Sequence, residues 1–447
     1  MARRTTKKKD LTPEEKLAQA LVPVEEQPYE VPGNWCWVRL HHLLEPSKRK
    51  TEDFSDLSIK YVGLEHMEKD CGIVSFGFTN ELKSTKNIFT TGQLLYGKLR
   101  PYLNKHGIAQ FDGVCSTDIL VFSARKSTTA PFVNYFFDQQ FFLDYVISNS
   151  KGINLPRVSE TVVLEAICPL PPLPEQLRIV ARIESLFAKL DEAKEKAQAV
   201  VDGFEERKAA ILHKAFTGEL TRKWREERGI GKESWTTDSL GRFGTLERGR
   251  SKHRPRNDPS LFNGPYPFIQ TGDVASSGRY VTSHKQTLSE KGVLQSRMFP
   301  KGTLCITIAA NIGNTSILSY DCCFPDSVVG FTPNEGVLSE YIYYLFNTIQ
   351  QELEANAPAT AQKNINLKVL NGTVVTVPKT EEQQEIVHIL DSILDKQEQA
   401  KSASEQVLDQ IDTMKKAILA RAFRGELGTN DPQEESAVEL VRRALDE

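Results

Sequence analysis

Two stretches of the chain carry the seven-residue apolar spacing of long helices, and each follows a region of short, β-branched apolar runs broken by turns. In the first stretch Ile183, Leu190, Ala197, Phe204 and Ile211 stand seven apart, with Leu186, Ala193, Val200 and Ala215 near the complementary seam. In the second, Leu390, Ile411 and Ile418 occupy the matching seam, while Gln397 and Ser404 interrupt it at its centre. Pro171, Pro172 and Pro174 precede the first stretch and Pro378 with Thr380 the second, residues suited to a helix start, and Gly218 and Gly425 end them. About forty helical residues at ~1.5 Å each make a rod of roughly 60 Å, which needs a partner to bury its stripe. Packed antiparallel, two such rods would form a spacer. Ile183, Leu190, Phe204, Ile211, Phe216, Leu390, Ile411, Ile418 and Phe423 are the expected packing or subunit-docking positions.

The partner is suggested by a duplication. Residues 175–220 lie without gaps on 382–427 with nineteen of forty-six positions identical, from Glu175-Gln176 against Glu382-Gln383 to Gly218-Glu219-Leu220 against Gly425-Glu426-Leu427. A homodimeric coiled coil would satisfy the seam alone. Residues 29–172 and 229–379, the regions ahead of the helices, are similar in size and predict mixed, strand-rich globular domains. Trp35 with Leu40 recurs as Trp235 with Leu240, a weak echo at the start of each. The expected organisation is an α+β chain with two such domains and two long helices, 173–228 and 380–427. A flexible basic arm over 1–28 and a flexible tail over 428–447 are expected at the ends.

With 447 residues, 39% hydrophobic and 26% charged, the chain can fill several cores. No apolar run approaches eighteen residues, and no apolar segment follows Arg3, Arg4, Lys7, Lys8 and Lys9, so a cytoplasmic protein without a membrane partner is expected. Seven cysteines without a CxxC pair fit neither a disulfide framework nor a thiolate metal site. The net charge of -3 removes any argument from overall basicity, so the position of cations decides. In the first domain Lys98, Arg100, Tyr102 and Lys105 combine cations and an aromatic in one loop, either DNA-facing or simply facing water. In the second, Arg248, Arg250, Lys252, Arg254 and Arg256 form a basic cluster that suits a phosphate backbone or a linker. Asn311, in a polar turn, could read an adenine edge or tolerate the turn backbone. GxxxxGK[ST], HExxH and GxSxG are all absent, and Asp118 and Asp326 are single acids in matching apolar surroundings, read as structural turns. No catalytic residue, metal site or cofactor is expected.

Leu173-Pro174-Glu175-Gln176 with Ile179-Val180, Lys208 through Leu220, and their second copies Thr380 through Gln384 and Lys415 through Leu427 resemble the specificity subunit of type I restriction-modification systems. Pro32 through Leu40 is similar to that family's usual start of the first recognition domain, and Tyr266 through Val274 to a recurrent strand, whereas Trp235 through Leu240 lacks the aromatic pair. The resemblance implies two target-recognition domains that each read half of a split double-stranded DNA target. It also implies antiparallel helices that fix the gap, two docked modification (methyltransferase) subunits, and restriction subunits carrying the ATP-dependent motor and nuclease. It implies no catalysis in this chain, in keeping with its lack of an Asn-Pro-Pro-aromatic or Asp-Pro-Pro-aromatic tetrapeptide. A repeat-built protein scaffold without specific DNA recognition is the alternative.

Overall fold

The computed structural model describes residues 12–69, 71–252, 257–309, 312–355 and 367–446. Contacts divide the chain into two units, Met1–Ala197 with Gln406–Glu447, and Gln198–Glu405. Each is a mixed strand-rich domain against which parts of the long helices pack.

In the first unit Leu94–Gly97 and Ile119–Ala124 form the centre of a four-stranded antiparallel sheet, flanked by His106–Ile108 and Leu44–Pro46. A five-stranded sheet places Gly113–Cys115 between Lys86–Phe89 and Lys60–Val62, the latter pair parallel. Burial of Leu94, Leu95, Tyr96 and Ile119 through Phe122 explains why these segments read as continuous apolar runs and not as alternations. The second unit repeats the plan, with Val328–Pro333, Leu304–Thr307 and Thr315–Leu318 inside one sheet and Phe262–Phe268 inside another.

Both domains close in the same way. Cys36–Arg39 pairs antiparallel with Ile167–Leu170, and Thr236–Ser239 with Val374–Val377, in each case just ahead of a long helix. The Leu40 amide then donates to the Ala166 carbonyl at 2.9 Å and that of Leu240 to Thr373 at 2.8 Å, so the two-residue echo marks equivalent positions.

The second helix runs unbroken over Thr380–Ala422, whereas the first is interrupted. Leu173–Asp202 and Phe204–Phe216 are separated at Gly203, a poor helix former standing where the second copy has Gln410. The expected helix over 173–228 is therefore three segments, the last being Arg222–Arg228 after a turn at Gly218, whose φ is 74°. Gly425 holds the same conformation at 73°. Within the first unit Ile179 and Ile183 share a core with Leu419 and Phe423, and Lys415 reaches Asp191 at 2.6 Å. Within the second, Leu212 and Ala215 join Ile386 and Leu390 while Lys401 lies over the Phe204 ring. In both, rising numbers on one helix meet falling numbers on the other, as an antiparallel pair requires. Ile183, Phe204, Leu390, Ile411 and Phe423 are buried; Leu190, Ile211, Phe216 and Ile418 are half-buried.

The duplicated Glu-Gln pair ties each helix start to its domain. Gln176 Nε2 donates to the carbonyls of Ser127 and Pro171, and Gln383 Nε2 to those of Gly336 and Pro378. Trp35 donates its indole N–H to Glu175 at 2.7 Å, and Trp235 to Glu382 at 2.8 Å. The remaining partners differ. Glu382 accepts from Arg225 and Thr221, whereas Glu175 accepts from Asn430 and Thr429. Burial pushes the Glu175 carboxyl above its ordinary value of 4.5, against those hydrogen bonds and the nearby Arg178 charge, which pull it down. A carboxyl whose folded pKa exceeds its unfolded one contributes stability below the unfolded value and loses it as pH rises through the folded value. Stability of the first unit is thus expected to decline as pH rises from 4.5, and Glu175→Gln to flatten that decline in pH-dependent urea unfolding.

The expectation of flexible ends is corrected for residues 12–28 and 428–446. Pro13–Ala20 is a helix capped by Thr12 and Glu15, and Ala437–Asp446 is another. Leu17, Ala20, Ala437 and Val441 enter one core, and Arg178 grips Glu434 through two bonds of 2.7 and 2.8 Å. Burial of these apolar side chains, distant in sequence, supplies the stabilisation that neither short helix has alone.

Candidate nucleic-acid interface

In the first unit a cleft of about 550 Å³ is lined by Lys48, Lys50, Lys98, Lys151 and Arg157, with Ser47, Asn87, Thr117, Ser159 and Glu160 between them. Strand pairing assembles it. Lys50 lies on the edge strand Lys50–Thr51, Asn87 on its neighbour, and Lys98 follows Leu94–Gly97 in the other sheet. Lys98 and Arg157 both face Asp118, at 3.7 and 3.5 Å, and Lys48 pairs with Glu160. Five cations therefore meet two carboxylates, a local positive excess on a chain whose net charge is -3. Asp118 stands in the turn before Ile119–Ala124 and Asp326 in that before Val328–Pro333, the latter's carbonyl accepting from Arg248.

The predicted residues separate on inspection. Arg100 is exposed with φ 52°, a left-handed conformation uncommon outside glycine, and Asn104 at 43° closes the same Pro101–Leu103 turn. The turn holds Tyr102 outward, 49% exposed. Lys105 is committed internally, its ammonium donating to the Leu64 carbonyl at 2.8 Å.

In the second unit Arg250 and Lys252 line a cleft of about 500 Å³ together with Asn257, Gln270, Gln286 and Gln295 over a floor that includes Phe262 and Phe268. Gln270 Nε2 donates to Gln286 Oε1 at 2.6 Å. Arg254, Arg256 and Asn311 lie outside the described residues.

Sequence reading missed Lys48, Lys50, Lys151 and Arg157, which are scattered along the chain and converge only on folding, and the three glutamines of the second cleft. One signal was available. Lys151-Gly152-Ile153-Asn154-Leu155 recurs as Lys363-Asn364-Ile365-Asn366-Leu367. Among the described residues, no three His, Cys, Asp or Glu side chains are grouped to hold a metal, and no helix is long and apolar enough to cross a membrane.

The sequence profile described as "Type I restriction modification DNA specificity domain" matches residues 56–201 and 232–409, more than half of the chain. The chain is similar to the type I restriction enzyme EcoDI specificity subunit of Escherichia coli, 33% identical over 201 residues covering 44% of this chain and 45% of that one. It is also similar to the EcoBI specificity subunit of Escherichia coli, 23% identical over 64% of each chain. The matches thus span less than two thirds of those relatives. The crystal structure of the HsdS subunit from Thermoanaerobacter tengcongensis shares the fold with a TM-score of 0.69 at 23% identity, over 90% of this chain and 100% of that one.

Proposed function

The chain belongs to the family of type I restriction-modification specificity subunits, and from that premise we propose that it is the DNA-reading component of such a complex. Each globular domain reads one half of a split double-stranded target, and the helices set the gap between the halves. Two modification (methyltransferase) subunits dock on the chain, restriction subunits join them, and methyl transfer and cleavage lie with those subunits.

The observation that carries the reading is that two like-closed domains each hold a cationic cleft, Lys98 with Lys151 and Arg157 in the first, Arg250 with Lys252 in the second. Cations on phosphates give affinity without sequence, and amides or guanidinium groups on base edges give discrimination. The Gln270–Gln286 pair supplies side chains of the second kind. The test is the affinity of the chain, assembled with its methyltransferase, for a duplex selected from a random pool and for a scrambled duplex. Specific reading predicts a preference of about 10³–10⁷; equal binding at every salt concentration would leave the protein-scaffold alternative.

Asp118 offers a companion test with the opposite sign. Replacing it by asparagine frees Lys98 and Arg157 of their shared counter-charge, so binding to selected and scrambled duplexes is expected to strengthen alike, by about 1 kcal/mol. Weaker binding in Asp118→Asn would mean that the carboxylate itself contacts the DNA.

A further inference from the structure

The loop between the helices Gln140–Ser148 and Glu160–Glu165 is pinned at its base. The Lys151 amide donates to the Arg157 carbonyl at 2.9 Å and the Arg157 amide returns the bond to Lys151 at 2.8 Å. Arg100 donates its amide to Pro156 at 2.7 Å and Val158 donates to Lys98 at 2.9 Å, so the loop is sewn to the turn that displays Tyr102. Just above its base Gly152 has φ 105°, and a Cβ there would stand 3.0 Å from the Leu155 carbonyl. The result is a tight, defined protrusion.

Its tip is apolar: Ile153 is 99% exposed and Leu155 46%. A single surface isoleucine needs no explanation by itself. This one crowns a turn whose two base residues, Lys151 and Arg157, both line the basic cleft. A polyanion held by those cations lies against the base of the loop that carries the tip. A protein-docking surface would present a broader apolar core, depleted of lysine, whereas proteins that bend DNA through the minor groove frequently combine phosphate-binding cations with an apolar side chain driven between base steps.

We propose that Ile153, backed by Leu155, is an apolar wedge that enters the base stack of the first half-site while Lys151 and Arg157 hold the flanking phosphates. The wedge kinks the duplex and favours sequences that unstack at low cost, adding discrimination without a base hydrogen bond. The recurrence of Lys-x-Ile-Asn-Leu at 363–367, ahead of the closing strand of the second domain as 151–155 is ahead of that of the first, gives the motif the same place in both halves of the sequence. The inference rests on the DNA-reading function proposed above.

The experiment uses the full chain assembled with its methyltransferase and a duplex selected from a random pool, with dyes at the duplex ends to report bending by energy transfer. Ile153→Ala is expected to weaken binding roughly tenfold and reduce the bend, with the salt dependence, unfolding midpoint and methyltransferase affinity unchanged. Lys151→Ala is expected to lower the salt dependence and keep the bend. Unchanged affinity and bend in Ile153→Ala, with the parent still selective, would overturn the wedge alone. Lost methyltransferase affinity would overturn it in favour of a protein contact, and a parent that selects no duplex would overturn the DNA reading and the wedge together.

Discussion

Replacing Glu382 with alanine is expected to lower the stability of the Gln198–Glu405 unit by about 3–5 kcal/mol. The carboxylate is 2% exposed and faces Arg225, itself 6% exposed. Arg225 Nη1 donates to it at 2.6 Å, Thr221 at 2.7 Å and Trp235 at 2.8 Å. Removing the acid leaves a guanidinium with two neutral acceptors, the Gly218 carbonyl and the Thr221 hydroxyl, and no counter-charge, and strands the Thr221 and Trp235 donors. An uncompensated buried charge costs far more than the net worth of the pair it came from. Arg225→Met combined with Glu382→Leu should therefore recover most of the loss. The equivalent Glu175→Ala should cost less, about 1–3 kcal/mol, because the donors it strands on Trp35, Asn430 and Thr429 are neutral. Hydrogen exchange of the full chain in urea resolves each unit; equal losses in the two units would contradict this assignment.

The second large effect is on binding. Substituting Lys98, Lys151 and Arg157 together by alanine is expected to weaken DNA binding roughly a hundredfold, at about 1 kcal/mol for each lost phosphate contact. The slope of log affinity against log salt should become shallower by about three, since each phosphate neutralised releases close to one counterion. The loss should fall equally on selected and scrambled duplexes, because phosphate contacts carry no sequence. Lys105→Ala serves as the contrast. Its ammonium is spent on Leu64, so the substitution should leave the salt slope unchanged and register only as a small loss of stability. An unchanged slope in the triple variant would remove this cleft from the interface.

The heptad stripes and the duplication were legible because both are local in sequence. Ile183 and Leu390 sit in the cores of their own units, each facing the opposite end of the other helix. Gly203 broke the first rod although the apolar spacing continues across it, since a stripe reports which face is buried and not whether the backbone holds one geometry. The tail was misread for a different reason. Arg442, Arg443 and Glu439 look like a solvated charge run, yet Ala437 and Val441 fall on the opposite face and are covered by Leu17 and Ala20 from the other end of the sequence. No local rule contains that contact.

The candidate site was legible only in part. Lys98 and Lys105 are equivalent in a sequence reading, and a carbonyl from a distant turn separates them. Arg225 falls beyond the aligned repeat, so nothing in the Glu-Gln match announces that one copy is charge-compensated and the other is not. The cleft cations come from five positions between 48 and 157 and become a cluster only through strand register.

The proposed reading of DNA in two separated halves by one chain is open to direct test. The most direct is to assemble the chain with its methyltransferase, capture fragments from a randomised DNA pool at two salt concentrations, and sequence what is bound. Two short conserved blocks separated by a gap of constant length, recovered at both salts, is the predicted result. A single continuous motif, or no enrichment from a stable complex, would contradict it.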